Sequence, residues 1–301
     1  MKLPCYVVDA FSDRPFGGNP AGVVLDGATL SAEEMQRIAA ELKHSETAFP
    51  VPSRRQAGTD FHLRWFTPLS EVRFCGHATL ATLHVLVEEA KRIAVGPEGV
   101  VHLRFGCKAG VQRVELSRHE GVLRILFETP PTRFRPQPVP ADALAAMNVV
   151  PEALDPRIPP HKAESEEGNL YFCVRDREAL ARMRPDPRPL DAIGKRLGVA
   201  GFVPFTLAPK PGIDAALRAF FPFYGIDEDP VTGSACGHLA LLLQELLPGA
   251  LPRGLHFLQG DEVGRPGKID IALRPDEPPY PVRAYVGGSA TVIVRGELEV
   301  R

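Results

Sequence analysis

Short apolar segments rich in β-branched and aromatic residues recur along the first half of the chain, set apart by Gly, Pro or charge clusters. They are YVVDAF (6–11), FHLRWF (61–66), VVHLRF (100–105), VQRVEL (111–116) and LRILFE (123–128), and each predicts a strand. A different spacing runs through SAEEMQRIAAELK (31–43), where Met35, Ile38, Ala39 and Leu42 form one apolar stripe. That spacing predicts an amphipathic helix, with Ser31 and Glu34 as its capping box. Two further stretches, HATLATLHVLV (77–87) and HLALLLQELL (238–247), are apolar on nearly every side. Each should be a helix enclosed by sheet. The expected class is α/β (α+β), with two halves, each a sheet wrapped around a central buried helix. The Pro-rich segment 130–168 is expected to cross between them and to carry an exposed loop.

The halves also share residues. Cys75-Gly76-His77 precedes one apolar helix and Cys236-Gly237-His238 the other. Upstream stand RWFTP (64–68) and RAFFP (218–222), both Arg-x-Phe-x-Pro. The path from Pro to Cys is fourteen residues in the second copy and seven in the first. A matched strand, linker and helix start in one order reads as an internal repeat. The boundaries expected are 1–118 for the first half, joined by the C-terminal strand 286–301, and 119–285 for the second.

Composition narrows the classes of function. The 301 residues carry 44% hydrophobic and 24% charged positions, an ordinary globular balance. A net charge of −2 gives no electrostatic footprint for nucleic acid or an anionic membrane. Asp9 interrupts the N-terminal apolar stretch before a signal-peptide core could form. Five cysteines, an odd number spread over a long chain, predict reduced thiols and a cytoplasmic protein. No apolar run reaches a membrane span.

The first amides of a buried helix lack internal partners and carry the positive end of its dipole. Such an end favours a carboxylate or phosphate, and it favours the thiolate form of a cysteine. If the halves face each other, two helix starts converge on one small anionic substrate.

Five blocks then resemble the PhzF-like family, whose members share the diaminopimelate epimerase fold. They are VDAFSDRPFGGNPAGVV (8–24), HSETAFP (44–50), FTPLSEVRFCGHATLA (66–81), FYGIDEDPVTGSACGHLA (223–240) and LQGDEVGRPGKI (258–269). The resemblance implies a cofactor-free isomerase, usually a homodimer, with its site between two similar halves. It implies Glu46 as the acid and base, with His77, Asp229 and Ser234 placing the substrate. Asn19, Gly76, Ala78, Gly233, Ala235 and Gly237 would line the binding site, the glycines letting the ligand approach the backbone. Cys75 and Cys236 match the paired thiols of the two-base epimerases, in which one thiolate removes a proton and the opposing thiol delivers one. Two other readings stand beside the Glu46 isomerase: a two-thiol amino-acid racemase or epimerase, and a non-catalytic binding protein that retains the fold.

No metal site is expected. A Cys₂His₂ site from Cys75, His77, Cys236 and His238 lacks looped ligand spacing, and Cys-x-His at a helix start should point its side chains to different faces. A cysteine protease is excluded by the missing orienting Asn or Asp. Dinucleotide binding is excluded by the absence of a strand–GxGxxG–helix unit. Cys5, Cys107 and Cys173 lie in or beside strand-like segments and read as structural.

Overall fold

The computed structural model describes residues 1–53, 58–165, 168–249, 252, 254–277 and 281–300. The chain divides into two compact units, Met1–Pro130 with Tyr285–Arg301 and Pro131–Ala284. The first holds β1 (Lys2–Ala10), β2 (Asn19–Val24), α1 (Ala32–Leu42), β3 (Thr47–Pro52), β4 (Phe61–Phe66) and the short β5 (Glu71–Val72). There follow α2 (Gly76–His84), β6 (Val100–Cys107), β7 (Gly110–His119) and β8 (Val122–Glu128). The second holds β9 (Phe134–Pro136), α3 (Ala141–Ala146), β10 (His161–Ala163), β11 (Leu170–Cys173), α4 (Arg177–Arg182) and α5 (Pro187–Leu197). It continues with β12 (Phe202–Lys210), β13 (Ile213–Leu217), α6 (Gly233–Leu246), β14 (Gly254–Gln259) and β15 (Gly267–Pro275). The chain then runs through β16 (Val282–Gly288) and β17 (Ala290–Glu299). From Tyr285 on, β16 pairs with β8, and β17 pairs along the whole of β1.

One order of pairings serves both units. In the first, β1 is antiparallel to β2, β2 parallel to β3, β3 antiparallel to β4, β4 parallel to β6, and β6 antiparallel to β7. In the second the same alternation runs β10, β11, β12, β13, β14, β15. Each unit has one apolar helix in the long crossover before its second parallel pair, α2 in one and α6 in the other. Residues Gly76–Leu83 of α2 are all buried, as is most of α6. Helices apolar on every face need such enclosure, because neither side could be left to water. α1 carries the expected capping box, Ser31 accepting from the Glu34 amide at 3.2 Å and Glu34 accepting from the Ser31 amide at 2.7 Å. Its Met35, Ile38 and Ala39 join a core with Leu3, Val24, Phe49 and Phe66.

Arg-x-Phe-x-Pro is structural in both units. Arg64 lies 5.1 Å over the Phe66 ring and forks onto Glu71 at 2.8 and 2.9 Å. Arg218 lies 5.0 Å over Phe220 and forks onto Glu228 at 2.8 and 2.7 Å. Glu71 stands four residues before Cys75, and Glu228 four before Thr232. Cys75 is the N-cap of α2 and Thr232 the N-cap of α6. The structural repeat therefore pairs Cys75-Gly76-His77-Ala78 with Thr232-Gly233-Ser234-Ala235. The repeated Cys-Gly-His tripeptide is out of register with it by one helical turn. Arg to Glu spans seven positions in the first unit and ten in the second, so the second linker is three residues longer, not seven.

The segment 130–168 is more than a crossing. It contributes β9, α3 and β10, and Ala143, Leu144 and Met147 of the α3 region are buried in the core that α4, α5, β11 and β12 complete. Pro140 ahead of α3 and Pro151 after it set off a helix of only six residues, which the proline content concealed.

Candidate active site

A loop, a strand start and a helix start bring five polar side chains together in the first unit. Gly18 adopts φ +56°, and a Cβ there would lie 2.0 Å from the Ala10 carbonyl oxygen, so only glycine makes this turn. It delivers Asn19 to the head of β2, where the side chain is buried. Glu46 closes the loop after α1, with its carbonyl accepting from the Gly22 amide at 3.1 Å. At α2, the Cys75 N-cap has extended backbone angles (φ −144°, ψ 117°), and its carbonyl accepts from the Thr79 amide and hydroxyl at 3.2 and 2.6 Å.

His77, only 6% exposed, is the hub. Its Nε2 lies 3.2 Å from Glu46 Oε2 and 3.2 Å from Ser45 Oγ. Its Nδ1 lies 3.3 Å from Asn19 Nδ2 and 3.5 Å from Cys75 Sγ. The expectation that Cys-x-His would splay its side chains is corrected here. Cys75 sits outside the helical angles, so its side chain turns back over the first turn and meets the ring. Among the described residues, Glu46, Cys75 and His77 form a group whose donor atoms all lie within 4.8 Å of one another.

The charges of this group set one another. Burial raises the Glu46 carboxyl, but the His77 imidazolium and the donors of Ser45 and Cys75 beside it prevail, holding it below the usual carboxylate range. Burial lowers the His77 ring, yet the sulfur of Cys75 and the carboxylate of Glu46 prevail, raising it well above an ordinary histidine. Burial, then the Glu46 carboxylate, push the Cys75 thiol up to about 11 against the pull of His77 and the Ala78 amide. These shifts favour a carboxylate on Glu46 and a charged ring on His77, with the Cys75 thiol held up at about 11.

The second unit builds its helix start from different residues. Thr232 Oγ1 donates to Asp229 Oδ2 at 2.5 Å, and the Asp229 amide donates to the Ala219 carbonyl at 2.9 Å. Gln259, buried at the end of β14, clamps this loop. Its Oε1 accepts from the Thr232 amide at 2.9 Å, and its Nε2 donates to the Asp229 carbonyl at 2.8 Å. Gly233, half-buried Ser234 and Ala235 form the first turn of α6. Cys236 is not at this start. It is the fourth helical residue, its amide donates to the Thr232 carbonyl at 3.0 Å, and its side chain is fully buried with Sγ 3.9 Å from Gln259 Oε1. Burial and the Asp229 carboxylate both push its thiol up. Gly237 follows it inside the helix. Ser45, Thr232 and Gln259 were not singled out from sequence. Ser45 sits beside Glu46 and Thr232 heads the x-Gly-polar-Ala pattern, and Gln259 stands in the block 258–269, which marks the residue without its role.

Comparison with known proteins agrees with this architecture. The family described as phenazine biosynthesis-like protein (PhzC-PhzF) matches residues 8–296. The chain is 34% identical to the uncharacterized isomerase YddE of Escherichia coli O157:H7 over 100% of both chains. Its fold is similar to the PhzF-family phenazine biosynthesis protein of Bacillus anthracis, with a TM-score of 0.87 and 25% identity over 100% of both chains. A more distant likeness in fold, TM-score 0.63 at 12% identity over 99% of this chain and 92% of the other, links it to a hydroxyproline epimerase of Agrobacterium vitis. Among the described residues no helix is long and apolar enough to cross a membrane. With a sequence match over nearly its whole length and the fold to go with it, the chain belongs to the PhzC-PhzF, phenazine biosynthesis-like family of isomerases.

Proposed function

We propose that the chain moves a proton on a carbon atom of a small carboxylate-bearing substrate, with Glu46 as both acid and base. The observation that carries this reading is Glu46 Oε2 held 3.2 Å from Nε2 of a buried His77 at the start of α2. The substrate's carboxylate would be held by helix-start amides, where the dipole favours an anion. Glu46 would take the proton from the adjacent carbon, and the freed electron pair would spread into the substrate as an enolate-like anion. The His77 imidazolium is the fixed positive charge that stabilises it. A substrate anion beside His77 would also weaken that ring's hold on Glu46, making the carboxylate a stronger base once the site is filled. Glu46 would then return the proton elsewhere on the same molecule. Asp229 and Ser234 would orient the substrate's amino or hydroxyl groups, with the amides of Gly233 and Ala235 as further donors. The active form would be a homodimer, which sedimentation velocity would check.

The test is deuterium uptake. The protein is incubated in D₂O with a panel of small amino, hydroxy and unsaturated carboxylates, and exchange at carbon is followed by mass spectrometry. Replacing Glu46→Gln should lower the rate by about 10²–10⁴-fold, since an amide cannot accept the proton. Undiminished exchange in that variant would remove Glu46 from the mechanism. A two-thiol epimerase is the second reading, favoured by the Cys75 thiol beside His77. It demands that Cys236→Ala also stop inversion, although Cys236 lies one turn inside α6.

A further inference from the structure

We propose that Glu46, Cys75 and His77 form a binding site for a thiophilic divalent cation of the Zn²⁺ class. Three donors of three types converge there from one loop and one helix start. Glu46 Oε2 and His77 Nε2 are 3.2 Å apart, His77 Nε2 and Cys75 Sγ 4.0 Å apart, and all three donor atoms lie within 4.8 Å. Tetrahedral zinc with bonds of about 2.0–2.3 Å to O, N and S sets its ligand atoms roughly 3.3–3.6 Å apart. The oxygen–nitrogen edge already matches, whereas Sγ, now nearer Nδ1 at 3.5 Å, lies 4.0 Å from Nε2 and within 4.8 Å of the Glu46 oxygen, so Cys75 must swing toward the other two donors on binding.

The surroundings suit the same ion. Cys75 and His77 are over nine-tenths buried, and the Glu46 side chain is 15% exposed while its Oε2 is buried with them. A thiolate and an imidazole select zinc over magnesium or calcium, which prefer all-oxygen sites. Asn19 stands 3.3 Å from Nδ1. With its amide turned over it would accept the Nδ1–H, the outer-shell contact that metal-bound histidines need. Three protein donors leave a fourth position for water or an anionic ligand. On binding, Sγ–H and Nε2–H each give up their proton to solvent, and a metal–sulfur and a metal–nitrogen bond form in their place. If the proton-transfer reading is right, the ion would occupy the oxygen that reaction needs, and Zn²⁺ would be a reversible inhibitor. The binding itself does not rest on that reading.

Cobalt makes the test independent of any substrate. Chelator-washed, reduced protein is titrated with Co²⁺ and followed by absorption. The expected result is one Co²⁺ per chain with a thiolate-to-cobalt charge-transfer band and intense tetrahedral visible bands, both displaced by one equivalent of Zn²⁺. Cys75→Ser should abolish the charge-transfer band. Serine is a preferred N-cap, so α2 should persist, as circular dichroism would verify. His77→Ala and Glu46→Gln should each weaken binding by about 100-fold. Cys107→Ser, which alters the half-buried thiol on β6, should leave the spectrum unchanged. No charge-transfer band, a band that survives Cys75→Ser, or one lost in Cys107→Ser would overturn the proposal. A zinc site with undiminished deuterium exchange in Glu46→Gln would uphold this inference while refuting the proton-transfer reading.

Discussion

The opposed shifts of Glu46 and His77, the latter raised by Cys75 as well as Glu46, have a sign in stability as well as in chemistry. The Glu46 carboxyl is lowered in the folded chain, so its contribution is present above the unfolded pKa and fades as pH falls through the folded one. The His77 ring is raised, so its contribution is complete below the unfolded pKa and is lost as pH climbs through the folded value. The pair should therefore stabilise most between about pH 4.3 and 6.5, the ordinary values of the two groups. Thermal unfolding followed from pH 4 to 9 should show an alkaline decline that Glu46→Gln flattens. An equal decline in both proteins would mean that Glu46 is not what raises the His77 ring. Cys75 gives a second check. With its thiol pushed up to about 11, alkylation by iodoacetamide should be slow at neutral pH and quicken about tenfold per pH unit until that value. Fast labelling of Cys75 at pH 7 would contradict it. These charges were only partly legible in the sequence. The motif around Ser45-Glu46-Thr47 and Gly76-His77 marks the residues, but the contest between burial and pairing depends on distances that no spacing encodes.

At the scale of elements, the two Arg-x-Phe strands carry unequal loads. Arg218 is 4% exposed and its Glu228 partner 10%, whereas Arg64 and Glu71 are 29% and 14% exposed. Arg218 also donates to the Leu180 and Met183 carbonyls at 3.1 and 3.0 Å, tying β13's end to α4. Arg218→Met should cost about 3–5 kcal/mol, because it strands a buried carboxylate and two carbonyls. Arg64→Met should cost about 1 kcal/mol. Urea denaturation of both variants measures the difference, and equal losses would show that burial is not what separates them. Nearby, a Cβ at Gly201 would meet the Phe221 ring at 2.4 Å and Asn169 Oδ1 at 2.8 Å. Gly201→Ala should therefore cost about 1–3 kcal/mol by overpacking, again read from urea curves. The apolar strands, α1 and the two enclosed helices were legible because each has a period or an unbroken apolar run. The register of the second helix start was not. Cys236-Gly237-His238 copies the first tripeptide in letters, while the backbone places Thr232 at the cap, and the Arg–Glu forks reveal the true alignment. A quieter repeat, Gly18-Asn19 and Gly168-Asn169, with φ +56° and +55° at the glycines and both asparagines buried, escaped for want of apolar context.

On the scale of the whole molecule, the first unit is assembled from two distant stretches of chain. Lys2 faces Glu299 and Ala10 faces Ala290, with β17 lying along the entire length of β1. The second unit is one unbroken stretch, Pro131–Ala284. The consequence is temporal. Pairings between residues so far apart in sequence pay their loop-closure entropy late, while β11 to β15 can zip within a single continuous segment. Refolding should then be biphasic, with the middle of the chain leading and its two flanks following. Pulsed hydrogen exchange should find amides of β12 and β13 protected before those of β1, and their simultaneous protection would rule this order out. Until β17 arrives, β1 has one neighbour instead of two and presents an open edge, the kind of surface on which chains pair with the wrong partner. The moment of greatest aggregation hazard thus belongs to the flank that carries Glu46 and His77, and solubility during refolding should depend on β17 more than on any other strand.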